Sequence, residues 1–156
     1  MIQKVITGGQ AGVERLAWAS ARRAGIATGG YMPAGFAAED GPQPRLAALF
    51  GAIEFRMDDA RRLRANLRHA DGVLLFGDTD SPHARATLAA CHELGKPFLA
   101  VQPALMPAPQ IVSWLVVFEV KTLMVAGPPA SADPGLPARA AALLDRVFAA
   151  RRTAMT

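Results

Sequence analysis

The stretch that decides the fold is Ile6-Thr7-Gly8-Gly9-Gln10-Ala11-Gly12-Val13-Glu14-Arg15. A short apolar run precedes the glycines, and apolar residues at helical spacing follow them as far as Gly25. This order predicts a strand over residues 2–7, a glycine turn, and a helix that Gly25 ends as a C-terminal cap. In that pattern Glu14 and Arg15 fall on other faces of the helix than the apolar residues.

Short apolar runs alternate with helical periodicity along the rest of the chain, which is typical of a parallel sheet wrapped by helices. We therefore predict an α/β fold, a Rossmann-like three-layer sandwich with a mostly parallel sheet and helices on both faces. Further strands are expected at 72–77, 97–101 and 121–126, and helices at 58–70, 81–94, 110–118 and 136–148. The Gly- and Pro-rich segment 28–51 is predicted to be a functional loop over the sheet edge.

Length and composition favour one globular domain spanning residues 1–156. The 156 residues are 51% hydrophobic and 19% charged, with a net charge of +4. The longest nearly apolar run, residues 111–118, is far shorter than the roughly 20 residues of a membrane span. No secretory signal precedes the first strand, and a lone Cys91 cannot form a disulfide framework, so a cytoplasmic location is expected.

The glycine turn is also the first candidate binding site. A turn after a strand, at the start of a helix, offers free N–H groups and the positive end of the helix dipole to a phosphate or another oxyanion. Its spacing matches neither the dinucleotide fingerprint nor the P-loop. A plain tight turn used for packing is the alternative interpretation.

Residues 7–15, Thr-Gly-Gly-Gln-Ala-Gly-Val-Glu-Arg, closely resemble the Ser-Gly-Gly-Gln-Thr-Gly-Val-Asp-Arg opening of the molybdenum carrier (molybdenum cofactor carrier protein) family, a branch of the SLOG superfamily. Residues 29–35 and 38–42 are similar to the family's Gly-Gly-Trp-Cys-Pro-Lys-Gly and Ala-Glu-Asp-Gly block. Further similarities lie at Arg62, Asn66, residues 70–72, 95–97 and 125–128, and Ser131. The resemblance covers nearly the whole chain.

The resemblance implies a SLOG fold, a homo-oligomer (dimer or tetramer), and a pocket lined by the loops after the first, middle and last strands. The implied ligand is small and anionic: molybdenum cofactor (molybdopterin), a pterin with a phosphate and a dithiolene that holds the metal. No protein-ligated metal is then expected, and a recipient molybdoenzyme is an implied partner. The candidate binding residues are Thr7, Gly8, Gly9, Gln10, Gly12, Arg15, Gly30, Tyr31, Arg62, Asn66, Gly77, Asp78, Thr79, Ser81, Gly127, Pro128 and Ser131.

The sequence departs from the family pattern at several positions. Ala11 replaces a threonine, Glu14 an aspartate and Ala34 a lysine. The family's second glycine motif, Gly-Gly-Thr, is absent, and the matching residues 81–87 begin Ser-Pro-His. The Pro-Gly-Gly-x-Gly-Thr-x-x-Glu motif of the cytokinin-activating LOG hydrolases is absent as well.

Three functions remain open from sequence, of which a non-enzymatic carrier of molybdenum cofactor or a related phosphorylated pterin or nucleotide leads. A nucleotide-processing hydrolase would use Glu39 or Asp40 as general base, although loop structuring is the alternative role for this adjacent pair. A weakly basic nucleic-acid-binding protein would use a basic helix face. The leading interpretation of that face is a solvated surface with some subunit contacts, and ligand contact through Arg62 and Asn66 is the next. The arginines of that face are Arg56, Arg61, Arg62, Arg64 and Arg68.

Overall fold

Six parallel strands form one sheet in the order β3-β2-β1-β6-β4-β5 in the computed structural model, which describes residues 1–154 and side chains up to residue 150. The strands are β1 (Lys4–Ile6), β2 (Ala27–Pro33), β3 (Ala52–Phe55), β4 (Gly72–Phe76), β5 (Phe98–Val101) and β6 (Thr122–Ala126). The helices are α1 (Val13–Arg23), α2 (Pro44–Phe50), α3 (Asp59–His69), α4 (Pro82–Leu94), α5 (Ala108–Val117) and α6 (Leu136–Ala154).

Helices cover both faces of the sheet, so the predicted three-layer α/β architecture is confirmed. One core cluster joins the sheet to α1, α5 and α6, and a second joins its other face to α3 and α4. The strand β4, which lies between β6 and β5, is buried at all five positions, as its continuous apolar run predicts. Among the residues that the structure describes, none of the helices combines the length and apolar character that a membrane span requires.

Local signals place several helix ends correctly. The Ser81 side chain caps α4 by accepting a hydrogen bond from the Ala84 N–H at 3.2 Å, and Gly95 ends the helix in the left-handed conformation. Asp58 caps α3 through the Arg61 N–H at 2.8 Å. Gly25 follows α1 with φ of 74°, as a C-terminal glycine should.

The expectation of a loop at 28–51 is wrong, because this segment contains all but the first residue of β2 and the whole of α2, and β3 follows it directly. Glycine is depleted in strands, so the sequence pattern did not indicate β2, although the structure requires glycine within this strand. Gly30 has φ of 125°, and a Cβ at this position would overlap the carbonyl oxygen of Thr7. The Gly29 carbonyl accepts a hydrogen bond from Trp18 Nε1 at 2.9 Å. The first strand is also shorter than expected, Lys4–Ile6 rather than 2–7.

The strand order opens a crevice at the carboxyl edge of the sheet. The chain moves from β1 outward to β2 and β3, whereas β4 and β5 lie on the other side of β6. In open α/β sheets, ligands bind where the strand order reverses in this way. Here the loops after β1 and β6 are linked: the Ala130 N–H donates to the Ala11 carbonyl at 2.9 Å, and Gly12 pairs with Pro129.

Candidate functional site

The glycine turn after β1 uses several of its N–H groups internally. The Gly9 N–H donates to Thr7 Oγ1 at 3.0 Å, and the Ala11 N–H donates to Gln10 Oε1 at 3.0 Å. The Gln10 N–H donates to Glu14 Oε1 at a longer 3.5 Å. Thr7 is fully buried, so its hydroxyl supports the turn from within.

A cavity of about 220 Å³ lies beside this turn and is called the Gly8 pocket here. A Cβ built on Gly8 would lie 2.8 Å from Arg62 Nη1 and 2.9 Å from Glu14 Oε1. The ends of a guanidinium and a carboxylate side chain therefore pack closely against Gly8, in the position that a larger residue would need for its Cβ. The pocket is lined by Gly8, Gln10, Glu14, Pro33, Ala37, Asp59, Arg62, His83, Gly127 and Pro129.

Arg62 reaches this pocket from the first turn of α3. Its Nη2 donates to Asp59 Oδ1 at 3.2 Å, and Asp59 itself is 90% exposed. Its Nε is buried and has no hydrogen-bond partner among the described residues. A buried donor without a partner carries a desolvation cost, which a ligand oxygen would remove.

Glu14, in the first turn of α1, is the residue that sequence reasoning missed. The helical pattern placed it away from the apolar face, but it is only 7% exposed and lines the pocket. Its Oε2 lies 3.9 Å from His83 Nε2. Burial raises the pKa of the Glu14 carboxyl, while His83, Arg62 and the backbone of Gln10 and Gly127 act in the opposite direction. The family's aspartate at the same position was the available signal.

Glu39 links the loop at 37–41 to the loop after β6. Its carboxylate accepts hydrogen bonds from the Ser131 N–H at 3.1 Å and the Ser131 hydroxyl at 2.5 Å. Its own N–H donates to Gln10 Oε1 at 2.8 Å. Glu39 thus ties together the loops that follow β1, β2 and β6.

Asp40 is held by Arg15 rather than aimed into the pocket. Arg15 Nη1 and Nη2 donate to the two carboxylate oxygens at 2.7 and 3.0 Å. This bidentate contact holds the pKa of Asp40 below its usual range. The Arg15 Nε, like that of Arg62, is buried without a partner among the described residues.

Comparison with known proteins agrees with this architecture. The model of the circularly permutated YpsA SLOG family matches residues 5–148. The chain belongs to this family. It is also similar to a crystal structure named "Putative molybdenum carrier protein" from Syntrophus aciditrophicus SB, with 29% sequence identity, a TM-score of 0.82 and coverage of 94% of both chains. No curated protein matches the sequence significantly. The resemblance identified from the motifs is thereby confirmed.

The remaining candidate residues of this SLOG chain do not all share one cavity. Gly30, Tyr31 and Asn66 line a separate cavity of about 210 Å³ together with Lys4 and His69. Asn66 is nearly fully buried, and it holds β2 by accepting from the Tyr31 N–H at 2.8 Å and donating to the Tyr31 carbonyl at 3.2 Å.

Gly77 and Asp78 lie in a third cavity of about 430 Å³, near Asp133 and Arg139. Gly77 packs against the Pro128 ring, since an added Cβ would lie 2.9 Å from Pro128 Cδ. Thr79 is exposed on the loop that leads to the Ser81 cap. Of the sequence candidates, Gly8, Gln10, Arg62 and Gly127 line the Gly8 pocket, and the others lie outside its lining.

Cysteine and histidine do not form a metal centre in the described part of the SLOG fold. No group of three or more His, Cys, Asp or Glu side chains there could hold a metal ion. Cys91 is buried in α4, and burial raises its pKa to about 11. This thiol is therefore protonated at neutral pH and packs as a small core side chain.

Proposed function

We propose that this SLOG-family chain is a non-enzymatic carrier that holds molybdenum cofactor, or a related phosphorylated pterin or nucleotide, in the Gly8 pocket. The observation that carries the proposal is the Gly8 pocket and its lining residue Arg62, whose Nε is buried without a hydrogen-bond partner among the described residues. The similarity to a protein named as a molybdenum carrier supports the choice of ligand.

The residues around the pocket suit an anionic ligand with polar ring atoms. The helices α1 and α4 both begin at this edge, at Val13 and Pro82, and their N-terminal ends favour negative charge. We place the ligand's phosphate beside the glycine turn within reach of these ends. When bound, the cofactor holds its metal through its own dithiolene, so the chain binds and orients the organic part.

The hydrogen bonds of the two candidate general bases, Glu39 and Asp40, support binding without catalysis. Glu39 is held by Ser131, and Asp40 is held by Arg15 in a bidentate contact. A general base needs a carboxylate free to approach the proton that it removes. The carrier proposal includes a cytoplasmic homo-oligomer and a recipient molybdoenzyme, because a carried cofactor must be delivered.

Anaerobic titration of the purified protein with released molybdenum cofactor tests the proposal. Arg62→Met removes the guanidinium while keeping an unbranched apolar side chain, and Arg61→Met is the matched control, because Arg61 is exposed on the same helix. We expect wild type and Arg61→Met to bind alike and Arg62→Met to bind at least about tenfold more weakly, as loss of a charge-assisted hydrogen bond implies. Equal binding by all three proteins, or none by wild type, would refute the assignment.

A further inference from the structure

We propose that the inner end of the Gly8 pocket recognises the 2-amino-4-oxo-pyrimidine edge shared by pterins and guanine, with Glu14 as the residue that sets selectivity. This inference rests on the proposed function, since it assigns the part of the ligand that enters the pocket. The alternative occupant of the inner end is the ligand's phosphate, and the charges around Gly8 favour the ring edge over the phosphate.

The acceptor side of the match is the Glu14 carboxylate. Glu14 is buried, and two of its contacts are long: 3.5 Å from Oε1 to the Gln10 N–H and 3.9 Å from Oε2 to His83 Nε2, while the Gly127 backbone also donates to the carboxylate. An ionised carboxylate can accept about four hydrogen bonds, and a buried one is destabilised when they are weak. Two adjacent N–H donors on a ligand would satisfy both oxygens.

The donor side of the match is Arg62. Its Nη1 and Glu14 Oε1 both lie within 3 Å of the position that a Gly8 Cβ would occupy. Both residues also line the Gly8 pocket, so a flat ligand edge in the pocket beside Gly8 would meet a carboxylate and a guanidinium. The 2-amino-4-oxo-pyrimidine edge presents an amino group, a ring N–H and a carbonyl oxygen in that order, which complements two acceptors followed by a donor.

The charge balance disfavours a phosphate in this inner position. The charged or titratable groups that face Glu14 are His83 on α4 and Arg62 on α3, and Asp59 pairs with that same arginine. A phosphate over Gly8 would lie next to the buried Glu14 carboxylate, and like charges at short range in a poorly solvated site repel strongly. The phosphate is then directed to the rim of the same pocket, which Gln10 of the glycine turn and the half-exposed His83 beside the start of α4 both line.

A specificity swap tests this inference. Lumazine is pterin with an oxo group in place of the 2-amino group, so its edge presents an acceptor where pterin presents a donor. Glu14→Gln keeps the shape of the side chain and converts one acceptor into a donor. By calorimetric titration or ligand-observed NMR at pH 7, we expect wild type to prefer pterin over lumazine by at least about tenfold and Glu14→Gln to reverse that preference.

The matched control is Glu93→Gln, which makes the same substitution at an exposed carboxylate on α4 outside the pocket. It should keep the wild-type preference. Guanosine and xanthosine form a second pair that distinguishes a guanine source from a pterin source. A preference confined to the guanosine pair would identify a guanine ligand and still support the recognised edge. No preference for the amino compound in either pair, or the same preference in wild type and Glu14→Gln, would overturn the inference.

Failure of this inference is distinguishable from failure of the proposed function. If molybdenum cofactor binds in an Arg62-dependent manner but Glu14→Gln does not weaken its binding, the ring assignment is wrong and the carrier function stands. If wild type binds no cofactor but selects guanosine through Glu14, the ring assignment stands and the carrier function is wrong.

Discussion

The substitution Gly8→Ala is expected to weaken ligand binding in the Gly8 pocket while leaving the stability of the fold nearly unchanged. An alanine methyl group here would lie 2.8 Å from Arg62 Nη1 and 2.9 Å from Glu14 Oε1. Carbon contacts are comfortable from roughly 3.5 Å, so each terminal atom must withdraw by about 0.6 to 0.7 Å. Both atoms end flexible side chains, and Gly8 is not among the glycines with positive φ. The substitution is therefore absorbed locally.

The expected change in folding stability is small. Alanine in place of glycine at a compatible backbone position stabilises the folded protein by about 0.4–1 kcal/mol, because it lowers the conformational entropy of the unfolded chain. This gain opposes the cost of moving the two side chains. We expect a net change within about 1 kcal/mol, or a shift in Tm of no more than about 4 °C. Binding should fall by at least about tenfold, because the methyl group displaces the ends of Arg62 and Glu14 from the positions in which they would contact the ligand.

Thermal unfolding and anaerobic titration with molybdenum cofactor measure the two effects on the same samples. Gly135→Ala is the matched control, since its Cβ would lie 3.4 Å from Arg139 and outside the Gly8 pocket. It should bind like wild type. Undiminished binding by a folded Gly8→Ala variant would refute the placement of the ligand in the pocket beside Gly8.

Three further predictions concern single residues. Ser81→Ala removes the cap of α4 and should cost about 1 kcal/mol, measured by urea unfolding; no loss would show that the hydrogen bond to Ala84 is not formed in solution. Cys91 should resist alkylation at pH 8 in the native protein and react after unfolding, because burial raises its pKa to about 11; rapid native labelling would contradict its burial. Burial also raises the pKa of Glu14 above its ordinary value of 4.5, so ionisation costs folding stability as pH rises through the folded-state value. Glu14→Gln should therefore have a larger free energy of unfolding than wild type at neutral pH, and this advantage should shrink as pH falls toward 4.5. Urea denaturation curves at several pH values measure the difference, and a difference that does not change with pH would contradict this prediction.

Much of the fold was predictable because its signals are local. The run Gly72–Phe76 is buried on both faces and reads as a strand without any tertiary knowledge. Ser81 and Gly95 mark the ends of α4 by their own backbone and capping chemistry. The strand β2 was missed because its Gly29 and Gly30 serve a close contact with neighbouring structure, which lowers the local strand signal.

The candidate site was less predictable because it depends on which loops meet. The motif identified Gly8 and Arg62, and the structure brings them together from the start of the chain and from α3. Glu14 was missed because helical periodicity separates apolar from polar faces but does not show that the first turn of α1 faces a crevice. Asn66 was expected to contact ligand, and only the structure shows that it also holds the β2 backbone.

The most direct measurement is the pterin content of the protein purified anaerobically from cells that make molybdenum cofactor. The bound pterin is released, oxidised to a fluorescent product and quantified against protein. The account predicts a stoichiometric amount with wild type and Arg61→Met and a large loss with Arg62→Met. Absence of pterin from wild type, or equal retention by Arg62→Met, would contradict the claim that the Gly8 pocket carries this ligand.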